Sequence, residues 1–143
     1  MKKLFIFFSI CLLFVAAAAP TDLVEDVLTA TNAFRASKKL PALSSNPILN
    51  SIAQQHSENM AAGKVKFGHD GFAKRNDAAQ KQLSIQYFAE NVAFGVQTGQ
   101  EVVTLWKNSE GHRKNMLGNY RKIGIGVAKD KQGRIFYTQV FSD

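Results

Sequence analysis

The sequence predicts an α+β domain whose helices come first and pack on an antiparallel sheet formed at the end of the chain. Three observations carry this expectation. Apolar residues recur at helical spacing over residues 21–39, 46–62 and 99–108. Two strand-like runs, residues 123–128 and 134–141, close the sequence, and the turn-rich segment 129–133 between them is a hairpin signal. Ile123, Ile125 and Val127 alternate with Gly124 and Gly126, so one face of that strand has no side chains and another segment or a ligand can approach its backbone closely.

The elements follow in order. Lys2 and Lys3 precede an apolar run ending in four alanines, the layout of a secretory signal peptide over residues 1–19, with cleavage expected after Ala19. Thr21 is placed to cap a first helix, with Asp22 and Glu25 in its first turn, Lys38 and Lys39 at its end, and Leu23, Val24, Val27, Leu28 and Phe34 as its stripe. Residues 40–45 break that pattern. Asn46 before Pro47 is a cap followed by a first-turn proline, and opens a second helix towards Gly63 that buries Ile48, Leu49, Ile52, Ala53 and Met60. Residues 64–84 read as a long loop containing a short helix near residues 72–82. Residues 85–95, rich in Phe, Tyr and Val, suit a strand whose apolar character Ala89-Glu90-Asn91 interrupts. A helix over 99–108 buries Val102, Val103, Leu105 and Trp106, and a short helix over 109–117 stops at Gly118.

The whole chain has 143 residues, and cleavage after Ala19 leaves 124, enough for one domain, residues 20–143, and too few for two ordinary ones. That product has 16 basic against 11 acidic side chains, a net charge of +5. Such a balance suits acidic cell-surface polymers or anionic lipid heads. No dense Lys/Arg block or aromatic stripe points to nucleic acid. The only cysteine, Cys11, lies in the leader, so the mature chain has neither a disulfide nor a thiolate for catalysis or zinc. Ile10 before Cys11 argues against a lipid anchor there. The expected product is free, soluble, monomeric and extracellular.

The histidines differ in context. His56 falls on the apolar stripe of the second helix and reads as a buried packing residue. No apolar periodicity claims His69, at the entrance to the long loop, and His112 lies near the start of the short helix. Glu90 sits between Tyr87-Phe88-Ala89 and Val92-Ala93-Phe94, so a buried carboxylate there needs a histidine, a metal or backbone donors. If His69, Glu90 and His112 converge, they suit zinc with an open fourth position; alternatively the glutamate fixes histidine tautomers without metal. Ser109 reads as a helix cap. The chain has no His-Glu-x-x-His helix, nucleophile elbow, phosphate loop or dinucleotide fingerprint.

Taken together, Thr31-Asn32-Ala33-Phe34-Arg35, Leu40-Pro41-Ala42-Leu43, the segment from Ala53 to Ala61 around His56, Gly68-His69, Ala89-Glu90-Asn91-Val92, the segment from Trp106 to Leu117, Ile123-Gly124-Ile125-Gly126 and Tyr137-Thr138-Gln139-Val140-Phe141 resemble the CAP superfamily in the expected order. That superfamily joins cysteine-rich secretory proteins, antigen 5 and plant pathogenesis-related class one proteins, and its domain is also named SCP. The cysteine-free form resembles its compact bacterial branch. The resemblance implies a three-layer α-β-α sandwich and a central cleft of two histidines and two glutamates. His69 matches the first histidine, Glu90 the first glutamate and His112 the second histidine. Glu110 either takes the second glutamate's place or is an exposed residue beside Arg113 and Lys114. The implied function is a secreted binding or effector module whose cleft takes zinc or another divalent cation. The rivals are a metal-dependent hydrolase of peptide or cell-wall substrates with Glu90 as base, and a sterol or lipid carrier. Fold alone does not choose among them.

Overall fold

The computed structural model describes residues 22–143. The expected leader, its cleavage point, Cys11 and the expected cap Thr21 lie outside the described residues. Helix α1 (Leu23–Ser37) starts instead from Asp22, whose carboxylate accepts from Val24 N at 3.0 Å. After it come β1 (Ser44–Ser45), α2 (Pro47–Ala61), α3 (Phe72–Gln82), β2 (Phe88–Phe94), α4 (Gly99–Asn108), α5 (Glu110–Met116), β3 (Lys122–Lys129) and β4 (Ile135–Ser142).

The sheet has the order β1-β3-β4-β2. Its three long strands are antiparallel, while β1, in the segment expected only to break the helical pattern, adds a two-residue parallel pairing to β3. Strand periodicity sorts the side chains into two layers. Ala89, Ala93, Ile123, Ile125, Tyr137 and Phe141 face a core shared with α1, α4 and α5. Phe88 and Val140 face α2 and α3 through Leu49, Ala53 and Ala79, and Val92 and Phe136 on the same face meet Met60. The result is the expected sandwich with a central sheet.

The glycine alternation is where α2 docks. A Cβ on Gly124 would fall into the backbone of Leu49, and one on Gly126 into that of Ala53 and Gln54. Helix and strand therefore meet backbone to backbone. On the same helix, one turn apart, Asn50 Oδ1 accepts from Ile125 N at 3.0 Å, while Gln54 accepts from Val127 N and donates to Val127 O, each at 3.0 Å. These two side chains continue the ladder where β1 stops.

On the opposite face, Arg35 is 1% exposed and donates to the carbonyls of Pro41, Met116 and Gly118 at 2.8–2.9 Å. This ties the end of α1 to the end of α5, where the free carbonyls carry the negative end of the helix dipole. Burial lowers the Arg35 pKa from its usual value. Helices α1 and α4 also touch closely, because a Cβ on Gly99 would lie 2.6 Å from Val27 N.

Leu105, expected inside, is 47% exposed, because it falls to the side of the stripe made by Gly99, Val102, Val103 and Trp106. The strand expected over 85–95 forms as Phe88–Phe94, and Ala89-Glu90-Asn91, which breaks its apolar character, is buried within it with its polar groups partnered.

Candidate functional site

Strand β2 is at the rim of the sheet, where the two helical layers part. Strand alternation sends Glu90 towards α2 and α3, and Asn91 towards α1 and α5. Trp106 Nε1 donates to Val92 O at 3.2 Å and Asn115 Nδ2 to Glu90 O at 3.1 Å, so side chains of α4 and α5 satisfy carbonyls that a further strand would otherwise take.

The Glu90 carboxylate is fully buried and accepts three bonds. Arg75, from α3, grips it with both sides of its fork, Nε to Oε2 at 2.6 Å and Nη2 to Oε1 at 2.7 Å. His69 Nδ1 donates to Oε1 at 2.9 Å, since an ionised carboxylate can only accept. The fixed ring leaves Nε2 as its free nitrogen, and the His69 side chain is half exposed. The same guanidinium donates to Asp70 O at 2.8 Å and lies 3.4 Å from His69 O, so it also fixes the loop that bears the histidine.

His56 is buried, as its place on the apolar stripe predicts, but it is more than filler. Its Nε2 bonds Gly68 O at 2.8 Å and lies 4.0 Å from Glu90 Oε1. Gly68 turns at φ +140°, a conformation closed to most side chains, so His56 holds the turn that delivers His69. Burial is the main cause that lowers the His56 pKa.

His112 comes from the other layer. A buried polar chain sets α5 in place: Gln139 donates to Thr31 Oγ1 at 2.8 Å, Asn91 Nδ2 to Gln139 Oε1 at 3.2 Å and to His112 O at 3.1 Å, and Asn115 Nδ2 to Asn91 Oδ1 at 2.9 Å. Burial lowers the His112 pKa, and the charge of His69 adds to this. Ser109 occupies the cap position of α5, but its side chain makes no capping bond. Glu110 is exposed in the first turn of α5, and no hydrogen bond or ion pair ties it to the cleft among the described residues.

Two cavities lie side by side along β2. One, of about 480 Å³, is bordered by His69, Phe72, Phe88, Glu90 and Asn115. The other, of about 280 Å³, is bordered by Phe67, Phe94, Leu105, Trp106, Ser109 and His112. Phe67, Phe94 and Leu105 are each more than 40% exposed, which gives this second hollow an apolar, solvent-facing wall.

The donor set fits a metal poorly. Both Glu90 oxygens are engaged, His112 reaches the rim from the opposite layer, and among the described residues no group of three or more His, Cys, Asp or Glu side chains is placed to hold an ion. His69 and Glu90 stand out in the sequence. Arg75 does not, because it lies in a polar, basic stretch that reads as solvated surface.

Comparison with known proteins places this geometry. The family model "CAP: Cysteine-rich secretory protein family" matches residues 28–141. The chain is 38% identical over 110 residues to the uncharacterized protein YkwD of Bacillus subtilis, which covers 73% of this chain and 42% of that protein. It is 31% identical over 121 residues to the uncharacterized membrane protein YlbC of the same organism, covering 82% and 33%. It thus spans less than half of either curated relative. An extracellular SCP-domain protein of Bacillus anthracis superposes with a TM-score of 0.72 at 31% identity, covering 83% of this chain and 39% of that one. An outer surface protein of Borrelia burgdorferi shares the fold, with a TM-score of 0.71 at 20% identity, covering 86% and 96%. With matched segments on both helical layers and every long strand, the chain belongs to the CAP family of cysteine-rich secretory proteins.

Proposed function

We propose that the chain acts outside the cell as a binding module whose ligand is read at the rim of β2 by the His69 imidazole. The observation that supports this most is the bond from His69 Nδ1 to a buried carboxylate whose charge Arg75 already balances. That bond fixes the ring and leaves an acceptor nitrogen at the mouth of a hollow with aromatic walls. A ligand that suits this site offers a hydrogen-bond donor to Nε2 and an apolar group to Phe72 and Phe88. The exposed Phe67, Phe94 and Leu105 extend the apolar footing towards His112.

The rival readings find less support. A hydrolase that uses Glu90 as ligand or base must first free it from Arg75, and the second carboxylate such chemistry wants, Glu110, faces solvent. Carriage of a lipid between helices finds α1 and α4 in backbone contact at Gly99.

Titration of purified chain with acyl lipids, a sterol and an anionic cell-wall polymer, followed by imidazole NMR resonances, tests the reading. The expected outcome is a ligand that shifts His69 and binds at least about tenfold more weakly to His69→Ala. Ligands that bind both proteins equally would refute it.

A further inference from the structure

A buried carboxylate needs a compensating positive charge, and there are two ways to provide it: a bound ion or a cationic side chain. In this cleft Arg75 provides it. Its side chain is 14% exposed and that of Glu90 0%, so the pair is shielded from water. Four oxygens surround the guanidinium: both carboxylate oxygens of Glu90 and the main-chain carbonyls of Asp70 and His69. The imidazole of His69 shares Oε1, and that of His56 stands 4.0 Å from it. Carboxylate, carbonyls and imidazoles are the donors from which divalent cations take their ligands. A dication drawn to the same oxygens would meet a fixed guanidinium, and like charges in a poorly screened site repel strongly.

We propose that Arg75 is the built-in cation of this cleft: its guanidinium holds the seat beside Glu90 and His69 that a divalent metal would take. The cleft then works without a metal and gains a metal site when Arg75 is shortened. The inference stands whether or not His69 reads a ligand, because it concerns only what balances Glu90.

Zinc uptake by equilibrium dialysis, cobalt(II) absorption spectra and thermal melting of the purified chain test it, on wild type, Arg75→Met, Arg75→Lys and Arg75→Met/His69→Ala. Wild type is expected to take up zinc no better than His69→Ala does. Arg75→Met, which removes the charged fork and keeps an apolar stem, is expected to bind a single zinc ion at least roughly tenfold more tightly than wild type. It should melt lower than wild type without zinc and recover when zinc is added. The cobalt band should vanish in the double variant, and Arg75→Lys should remain metal-free because its charge is retained. Should Arg75→Met fail to fold alone, zinc-dependent refolding is the expected result, and failure to recover with zinc overturns the inference. It is equally overturned if Arg75→Met binds zinc no more tightly than wild type, or if wild type already binds zinc and loses it on Glu90→Gln.

Discussion

The two flanks of the sheet meet their helices in opposite ways. On the β3 flank, α2 lies on bare glycine backbone, and Asn50 and Gln54 bond the strand as a neighbouring strand would, leaving no gap at Gly124 and Gly126. On the β2 flank, single side chains from α4 and α5 reach across to the strand, charges are buried in a pair, and hollows remain between the layers. Close backbone packing makes the first flank rigid. Polar side-chain contacts hold the second in shape while keeping its imidazoles reachable. The lesson is that the contacts stabilising each flank also set how closely anything else can approach the strand it covers.

Substitutions on each flank would sharpen this contrast. The largest loss is expected at Glu90→Ala, which leaves Arg75 without its carboxylate and should cost about 3–5 kcal/mol in urea unfolding. Gly126→Ala attacks the other flank by forcing α2 off the strand; about 3 kcal/mol is expected, at the upper end for overpacking, and a neutral result would show that the contact is loose. Asn91→Ala removes the side chain that joins β2 to α5. About 2 kcal/mol should be lost, with hydrogen exchange rising in α5 and unchanged in α2.

Smaller effects separate acid sensitivity from binding. The folded pKa of His56 lies below its unfolded value, so the unfolded chain binds more protons between the two. Stability is then full above about pH 6.5 and falls as pH drops towards the folded value. His56→Gln should flatten that decline by at most roughly 1.4 kcal/mol per pH unit, leaving the parallel contribution of His112 in place. His69→Ala should cost under about 1 kcal/mol, because the ring is half exposed, with its main effect on ligand capture.

Much of the first flank is legible in the sequence. Alternating glycines announce a close approach because only a missing Cβ permits one, and Asn46-Pro47 marks the start of α2 because its cap geometry is local. The short helix Phe72–Gln82 falls where its residues suggest. The second flank is legible only in part. His69 and Glu90 stand out as polar residues in unusual contexts, and the resemblance names them. Their partner Arg75 is one cation among several in a charged segment, and burial of an arginine depends on where a distant carboxylate points. Asn50 and Gln54 are hidden for the same reason, since polar residues on a helix read as solvated until a strand edge is known to lie beside them. The side from which His112 enters follows from strand parity: Glu90 and Asn91 are adjacent in sequence and face opposite layers.

One consequence concerns crowding. An exposed strand rim is a template on which other copies of a chain can grow fibrils. Here Asn50 and Gln54 bond two amides and a carbonyl of one rim, and Trp106 and Asn115 two carbonyls of the other, so an incoming chain finds part of each rim already taken. Four ordinary side chains thus shorten the template that either rim offers for self-assembly.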